Sequence, residues 1–443
     1  MNFNTSVYPN AVALIPEDER FQGVSEQGAR VGQMIFLVAY AFGSELSLFL
    51  VNCTQVWAGF APNFENMIAA RFFGGLCTAG GSVTLGIVAD LFDVDDQQYA
   101  IAFIVLSSVA GTSVGPLVGG FIAGGVKSEK KYLTALYWIF WVQLIFGVVT
   151  QLVHMFVVPE TRETILLDRE AKRRRKAGET NVYGPNELEH NRFSPKKILT
   201  TWLRPFDMLV REPIVLSLSL LSGFSDALIF VFSESFVSVF SKWDFTTVET
   251  GLAFIPINIG YIFGIRKETP DVLTPEIRLW WLLWTAPLEP IGLFGFAWTS
   301  LGPPYTHWIA PMIFEVLIAI ANYAIYMATI DYMVAAYGPY SASATGGNAL
   351  ARDFLAGISA MYSVPMYTQI GSNEHLQSAW ASTILAILAV VVVLPVFLFY
   401  WKGEVIRARS PFAQEIMQAR KTDDPVHVGP PEHMDEEKMV HHQ

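Results

Sequence analysis

Charged residues are scarce in this chain. Asp, Glu, Lys and Arg make up 16% of its 443 residues, while 52% are apolar. A soluble globular domain carries about a quarter charged residues, so an ordinary water-soluble protein is excluded. Cysteine is nearly absent. Cys53 and Cys77 stand alone in apolar runs, which leaves no disulfide framework and no cysteine-based metal site. No G-x-x-x-x-G-K-[ST] stretch occurs, so the chain is not by itself an ATP-driven pump. H-E-x-x-H and G-x-S-x-G are missing too, which removes the commonest hydrolase signatures. No enzyme activity, cofactor or metal is expected. The formal charge of −11 is spread through loops and the C-terminal tail and does not favour nucleic acid. Met1 to Ile15 lacks the basic start and small-residue cleavage site of a secretory signal.

Long apolar runs are what the chain has instead. Several exceed the roughly 18 residues that read as a membrane crossing, and they predict an all-α polytopic membrane protein. About ten crossings are expected, from Val31 to Phe60, Met67 to Leu91, Ala100 to Gly125, Leu133 to Val158, Pro213 to Phe240, Val248 to Ile265, Leu279 to Ser300, Trp308 to Met333, Ala342 to Tyr367 and Trp380 to Trp401. The first is about 30 residues, long for the roughly 20 a bilayer requires. A polar stretch from Pro159 to Glu212 separates four crossings from six. It carries Arg169, Lys172, Arg173, Arg174, Arg175 and Lys176, a cluster that argues for the cytoplasmic side. Leu166 to Lys176 reads either as a surface helix attracted to anionic lipid or as a solvated linker. With an even number of crossings both termini share that side. Lys127, Lys130 and Lys131 then fall outside, against the rule. Two membrane halves joined by a basic loop is the layout of a two-bundle secondary transporter.

Within the run Ala100 to Gly125, Gly111, Gly115 and Gly119 recur every four residues and line one helix stripe, where a neighbouring backbone can approach closely. Gly120 follows, and Pro116 removes one backbone donor. Close helix packing and a bendable transport helix both fit this stripe.

A charge at mid-bilayer costs about 2.5–3.5 kcal/mol on insertion scales, so it should face a cavity or a partner. Asp226 and Glu234 lie eight residues apart in one run, within roughly 80° of each other on a helix. Facing a cavity, two carboxylates bind an organic cation or take protons when it leaves, and desolvation favours their neutral forms. Structural hydrogen bonding is the alternative. Glu45 lies in the first long run. Arg71 either holds a nearby carboxylate ionised or snorkels to the interface. Asn322, Tyr323 and Tyr326 share the eighth run. Asn322 and Tyr326, four apart, suit substrate hydrogen bonds and cation–π contact, or ordinary packing. Asn348 and Arg352 are also four apart, and Arg352 beside Asp353 reads as a structural ion pair near an inner gate. Asp331 is placed near the cytoplasmic end, where it helps close that gate. Asp90, Asp93, Asp95 and Asp96 read as a solvated acidic loop, and Asp423 to Gln443 as a disordered tail.

These stretches resemble the major facilitator superfamily, in its fungal drug:proton antiporter branch close to the polyamine exporters. Gly111 to Gly120 is similar to that family's fifth-helix antiport signature, and Ala70-Arg71-Phe72-Phe73-Gly74-Gly75 to its fourth-helix motif. Val158-Pro159-Glu160-Thr161-Arg162 resembles the end of the sixth helix, while Arg204-Pro205 and Val210-Arg211-Glu212-Pro213 resemble the approach to the seventh. Ser222 to Asp226 and Gly338 to Asn348 also look like this branch. The resemblance implies twelve crossings, with Met1 to Pro16 matching only the outer half of the first. It also implies a second and third helix fused without their gating turn, an insertion over Ala123 to Tyr137, and a shortened loop after Gly264. Arg71 would assist proton coupling, and Glu45 would face the central cavity.

The expected domains are 1–30, a cytoplasmic remnant of a first helix; 31–158, an incomplete first bundle; 159–212, a basic linker; 213–401, a second bundle; and 402–443, a cytoplasmic tail. The expected protein is a monomeric, proton-coupled exporter of polyamines, drugs or other cationic or amphipathic compounds. The plasma membrane is its expected site, the vacuolar membrane the alternative. Its partners would be substrate, protons and lipid, with no nucleic acid. A non-transporting truncated isoform or membrane sensor is the rival reading.

Overall fold

The computed structural model describes residues 2–43, 48–78, 88, 91, 94–125, 131–160, 163–179, 182–188, 195–264, 275–410, 412 and 414. Among them there is helix and no strand, as lipid demands of a chain whose backbone groups must be satisfied within each segment. The first half contains α1 (Asn2–Val7), α2 (Val31–Phe42), α3 (Leu48–Gly59), α4 (Phe64–Thr78), α5 (Val94–Gly125) and α6 (Lys131–Val157). Linker helices α7 (Glu163–Lys176) and α8 (Pro195–Arg211) follow. The second half contains α9 (Pro213–Phe240), α10 (Ile255–Gly264), α11 (Leu288–Thr299), α12 (Ile309–Tyr337), α13 (Ser341–Gln369) and α14 (Glu374–Arg407). Among the described residues five helices are long and apolar enough to cross a membrane, namely Tyr99–Gly125, Ala135–Val157, Pro213–Trp243, Ile309–Tyr337 and Glu374–Arg407.

Several expected crossings are divided. The run Val31 to Phe60 is two helices, α2 and α3, of 12 residues each. At about 1.5 Å per residue each is roughly 18 Å long, so the run is no single straight span. The break begins at Gly43, where an added Cβ would come within 2.9 Å of the Leu76 Cα. A glycine is needed there to let α4 pass. The run Val248 to Ile265 divides into the short helix Thr247–Leu252 and α10, and Leu279 to Ser300 into Trp280–Thr285 and α11.

Two helix faces join the halves. On one side α2 packs on α13, and on the other α5 packs on Thr247–Leu252, α10 and α12. Within the second half α9 lies along α13, while α11 packs between α12 and α14. The core clusters follow this division. Leu228, Val231, Phe232 and Phe236 of α9 pack with Val105 and Val109 of α5, and Val7, Tyr8 and Ala11 pack with Leu136 and Ile139 of α6.

The glycine stripe of α5 receives the N-terminal segment. An added Cβ at Gly111 would lie 3.3 Å from the Phe3 nitrogen, one at Gly115 would lie 2.8 Å from the Ser6 carbonyl carbon, and one at Gly119 would strike Asn10. Ser6 Oγ donates to the Gly111 carbonyl at 3.1 Å. Gly120 turns to the other half, where a Cβ would lie 2.9 Å from the Thr247 oxygen and 3.2 Å from the Gly251 Cα. Pro116 is inside an unbroken α5.

The sides of the bundle follow from these contacts. Helix α9 leaves the linker at Pro213, so Glu234 is near its far end, where Arg30 at the start of α2 meets it. The other end of α2 stacks Phe42 on Phe206 of α8, with ring centroids 6.1 Å apart. Residues 2–30 therefore approach the end of the bundle opposite the linker, where one straight crossing from Val31 to Phe60 would have put them on the linker's side. The cause is the division of the first run, since an added reversal at Gly43 inverts every assignment before it.

Candidate functional site

Helix α9 carries both acidic candidates. They do not share one cavity-facing site, because each is held by an arginine from a different helix. Arg30 Nε donates to Glu234 Oε2 at 2.9 Å, and the two residues are 7% and 6% exposed. Arg30 also reaches Gln27 Oε1 at 3.3 Å and Glu26 at 3.5 Å. Gln27 Nε2 donates to the Met361 carbonyl on α13 at 2.7 Å. The first half thus grips both α9 and α13 at the end remote from the linker. The second oxygen of Glu234, Oε1, is buried with no hydrogen-bond partner.

About 12 Å along α9, Asp226 faces α13. A Cβ on Gly223 would sit 2.8 Å from Leu355 Cδ1 and 3.1 Å from the Ala351 oxygen, so the glycine permits the close approach that brings Asp226 to Arg352. Arg352 Nε lies 3.9 Å from Asp226 and 3.7 Å from Asp353. Its guanidinium stacks 4.2 Å from the Tyr326 ring centroid, as its planar delocalised charge allows. Arg352 is therefore more than the local partner of Asp353 that the sequence indicated. It sits amid two carboxylates and an aromatic face, and the arginine and both carboxylates are buried. One step further along, Ser222 donates to Asn348 Oδ1 at 3.4 Å.

Asn322 Nδ2 donates to Ser225 Oγ at 3.1 Å, which ties α12 to α9. Tyr323 crosses between the halves, its hydroxyl donating to the Ala102 carbonyl of α5 at 3.1 Å. Asn322 and Tyr326 thus serve contacts between helices. Asp331 forms an ion pair with Arg278, at the end of α12 nearer the linker.

Arg71 does not snorkel. It is 1% exposed, and its guanidinium lies 4.2 Å from the Tyr8 ring centroid and 4.6 Å from that of Phe36. Nη1 donates to Asn4 Oδ1 at 3.2 Å and Nε to the Gly32 carbonyl at 3.4 Å. Among the described residues no carboxylate lies within ion-pair distance of it. Two aromatic faces take the place of a counter-ion, as cation–π attraction permits. Glu45, Lys127, Lys130, Asp90, Asp93 and the tail from Asp423 lie outside the described residues.

Sequence reasoning missed Arg30, which stands at the very edge of the first apolar run and reads as its boundary. It also missed Glu289 and Glu315, both inside runs read as crossings and both 0% exposed. The criterion that selected Asp226, a charge within an apolar run, would have found them.

The comparisons agree with this architecture. The chain is 30% identical over 393 residues to the "Probable drug/proton antiporter YHK8" of Saccharomyces cerevisiae, covering 85% of this chain and 72% of the other. It is 29% identical over 382 residues to the multidrug transporter FLR1 of Candida glabrata, covering 83% of this chain and 66% of that one. The fold matches the E. coli xylose transporter XylE in a partially occluded inward-open conformation with a TM-score of 0.60 and 15% identity, over 90% of this chain and 95% of the other. Residues 28–361 match the family model described as Major Facilitator Superfamily, and the chain belongs to that superfamily of membrane transporters.

Proposed function

We propose that the chain is a proton-coupled exporter of cationic or amphipathic compounds, polyamines and drugs among them. It works by alternating access. The observation that carries this reading is the Arg30–Glu234 pair, an ion pair made between the two halves and buried from water. Ionised, Glu234 holds the halves together at the end remote from the linker. Protonated, it loses its attraction for Arg30, and that end is free to part. A proton taken up there is exchanged for the opening of the bundle, which is what antiport requires. Asp226, released from Arg352, supplies a carboxylate for a cationic substrate, with Tyr326 as the aromatic face beside it. The likeness to drug and proton antiporters favours export over nutrient uptake. The plasma membrane is the proposed location, and a monomer the proposed unit.

The test is uptake of spermidine and of a cationic drug into inside-out vesicles bearing this chain, with and without an imposed proton gradient. Gradient-dependent uptake is expected. Correctly inserted protein that moves neither compound would overturn the proposed substrates. If proton flux is also absent, the rival reading of a non-transporting membrane protein takes its place.

A further inference from the structure

Where α9 begins and α14 ends, the linker end of the second half has a recess that none of the ion pairs above uses. Arg211, Pro213, Val405, Ile406, Arg409 and Ser410 line a cavity of about 320 Å³ there. Both arginines are exposed. Asp207 meets Arg211 Nε at 2.7 Å and takes one of the five donors a guanidinium carries. Among the described residues no carboxylate lies within ion-pair distance of Arg409, while Arg407 is already paired with Glu276 at 3.0 Å. Glu212 is the other acid nearby. It is 0% exposed and accepts from the Tyr337 hydroxyl at 3.2 Å and from Ser410 Oγ at 2.7 Å. The carbonyls of Glu404, Ile406 and Arg407, at the end of α14, accept from the backbone nitrogens of Ala408, Arg409 and Ser410. The cavity therefore presents positive charge beside the apolar Pro213, Val405 and Ile406.

Its apolar side continues along both helices. Val405, Trp401, Leu398, Leu394, Val391 and Ile387 are exposed, and they recur along α14 at steps of four and three, so they share one face. In a bilayer that face meets acyl chains. Leu216 and Leu220 are exposed on α9 beyond Pro213. Trp401 is 72% exposed and one turn from Val405, and tryptophan in such a place marks the headgroup boundary. We propose that the cavity binds the headgroup of an anionic phospholipid, with Arg211 and Arg409 on its phosphate and Val405 and Trp401 along an acyl chain. Guanidinium groups match phosphate oxygens in a planar, bidentate way. Basic pockets between membrane helices take such headgroups at the cytoplasmic face, the side to which the basic linker assigns this end. Two cations against the one exposed carboxylate of Asp207 suit a ligand with one negative charge. The apolar tracks favour a lipid over a free phosphate, which has no use for them.

Native mass spectrometry of the full chain in detergent, with phosphatidylglycerol and phosphatidylcholine of equal chain length in competition, tests the proposal. Both lipids carry a phosphate, and only the first has a net charge. The unmodified chain should retain phosphatidylglycerol preferentially. R211Q and R409Q should each weaken that retention about fivefold, the equivalent of the roughly 1 kcal/mol that one basic residue contributes at an anionic surface. R173Q, which removes the same charge from α7, should leave it unchanged. Undiminished retention in R409Q, or an equal loss in R173Q, would mean a diffuse positive face with no site and would overturn the proposal. Glycerol 3-phosphate, which has the phosphate without the chains, should not displace the lipid at equal concentration. Displacement would assign the cavity to a soluble phosphate, and the lipid would fall. Should R211Q fail to fold because Asp207 loses its partner, R409Q decides alone.

Discussion

At the scale of single residues, the polar chemistry of this chain consists of charges removed from water and compensated in unequal ways. Glu234 has an arginine from the opposite half, Asp226 shares one with Asp353, and Arg71 has aromatic rings. Removing one member of a buried ion pair costs about 3–5 kcal/mol, because the other charge is left uncompensated. Arg30→Ala should therefore lower thermal stability in detergent strongly. Arg30→Ala with Glu234→Gln should recover most of the loss, the uncompensated charge being gone. A double variant no more stable than Arg30→Ala alone would contradict the pairing. Glu234→Gln by itself should insert normally and abolish proton-driven transport. Transport that persists with unchanged gradient dependence would remove Glu234 from proton coupling. Arg71→Lys should destabilise the first half despite keeping the charge, because an ammonium does not stack between Tyr8 and Phe36 as a guanidinium does.

At the scale of elements, the small residues of α5 do two different jobs. Gly111, Gly115 and Gly119 seat the N-terminal segment from Asn2 to Asn10, while Gly120 meets Thr247–Leu252 of the other half. Overpacking typically costs about 1–3 kcal/mol. Gly115→Leu should loosen the N-terminal segment, measured as faster proteolysis before Arg30. Gly120→Leu should spare that segment and impair transport, because it strikes the contact between halves. Equal effects of both on proteolysis would contradict the division. In the linker, Arg175 bonds Glu187 at 2.6 Å. That hydrogen bond holds the Glu187 carboxyl below its usual range, against a smaller opposing effect of desolvation. A depressed carboxylate stabilises the fold above its unfolded value, and that contribution is lost as pH falls through the folded one. Linker proteolysis should therefore quicken on acidification, and Glu187→Gln should be fast at every pH. The helical type of these elements was legible from apolar runs alone. Their interruptions at Gly43 and at Ala286 were not, because the glycine and the neighbouring Pro287 that accompany them are residues membrane helices also carry without breaking, as α5 carries Pro116.

For the whole molecule, the informative surfaces are those between halves, α2 on α13 and α5 on α10 and α12. Gln27 bonds Met361 across the first of them. Cysteines at those two positions, cross-linked, should arrest transport reversibly, with activity returning on reduction. A linked protein that transports at full rate would mean that this face does not open. Scarce charge, long apolar runs and a basic linker were enough to settle membrane residence, helical class and a two-bundle plan, because hydration cost and backbone hydrogen bonding in lipid act on composition. The motifs added the superfamily. Which carboxylate met which arginine, which end of the bundle residues 2–30 approached, and what the glycine stripe received were decided only in three dimensions. Those outcomes depend on helix register and on one reversal at Gly43. A shift of a single residue on a helix turns a side chain by about 100°, and no count of residue types carries that information.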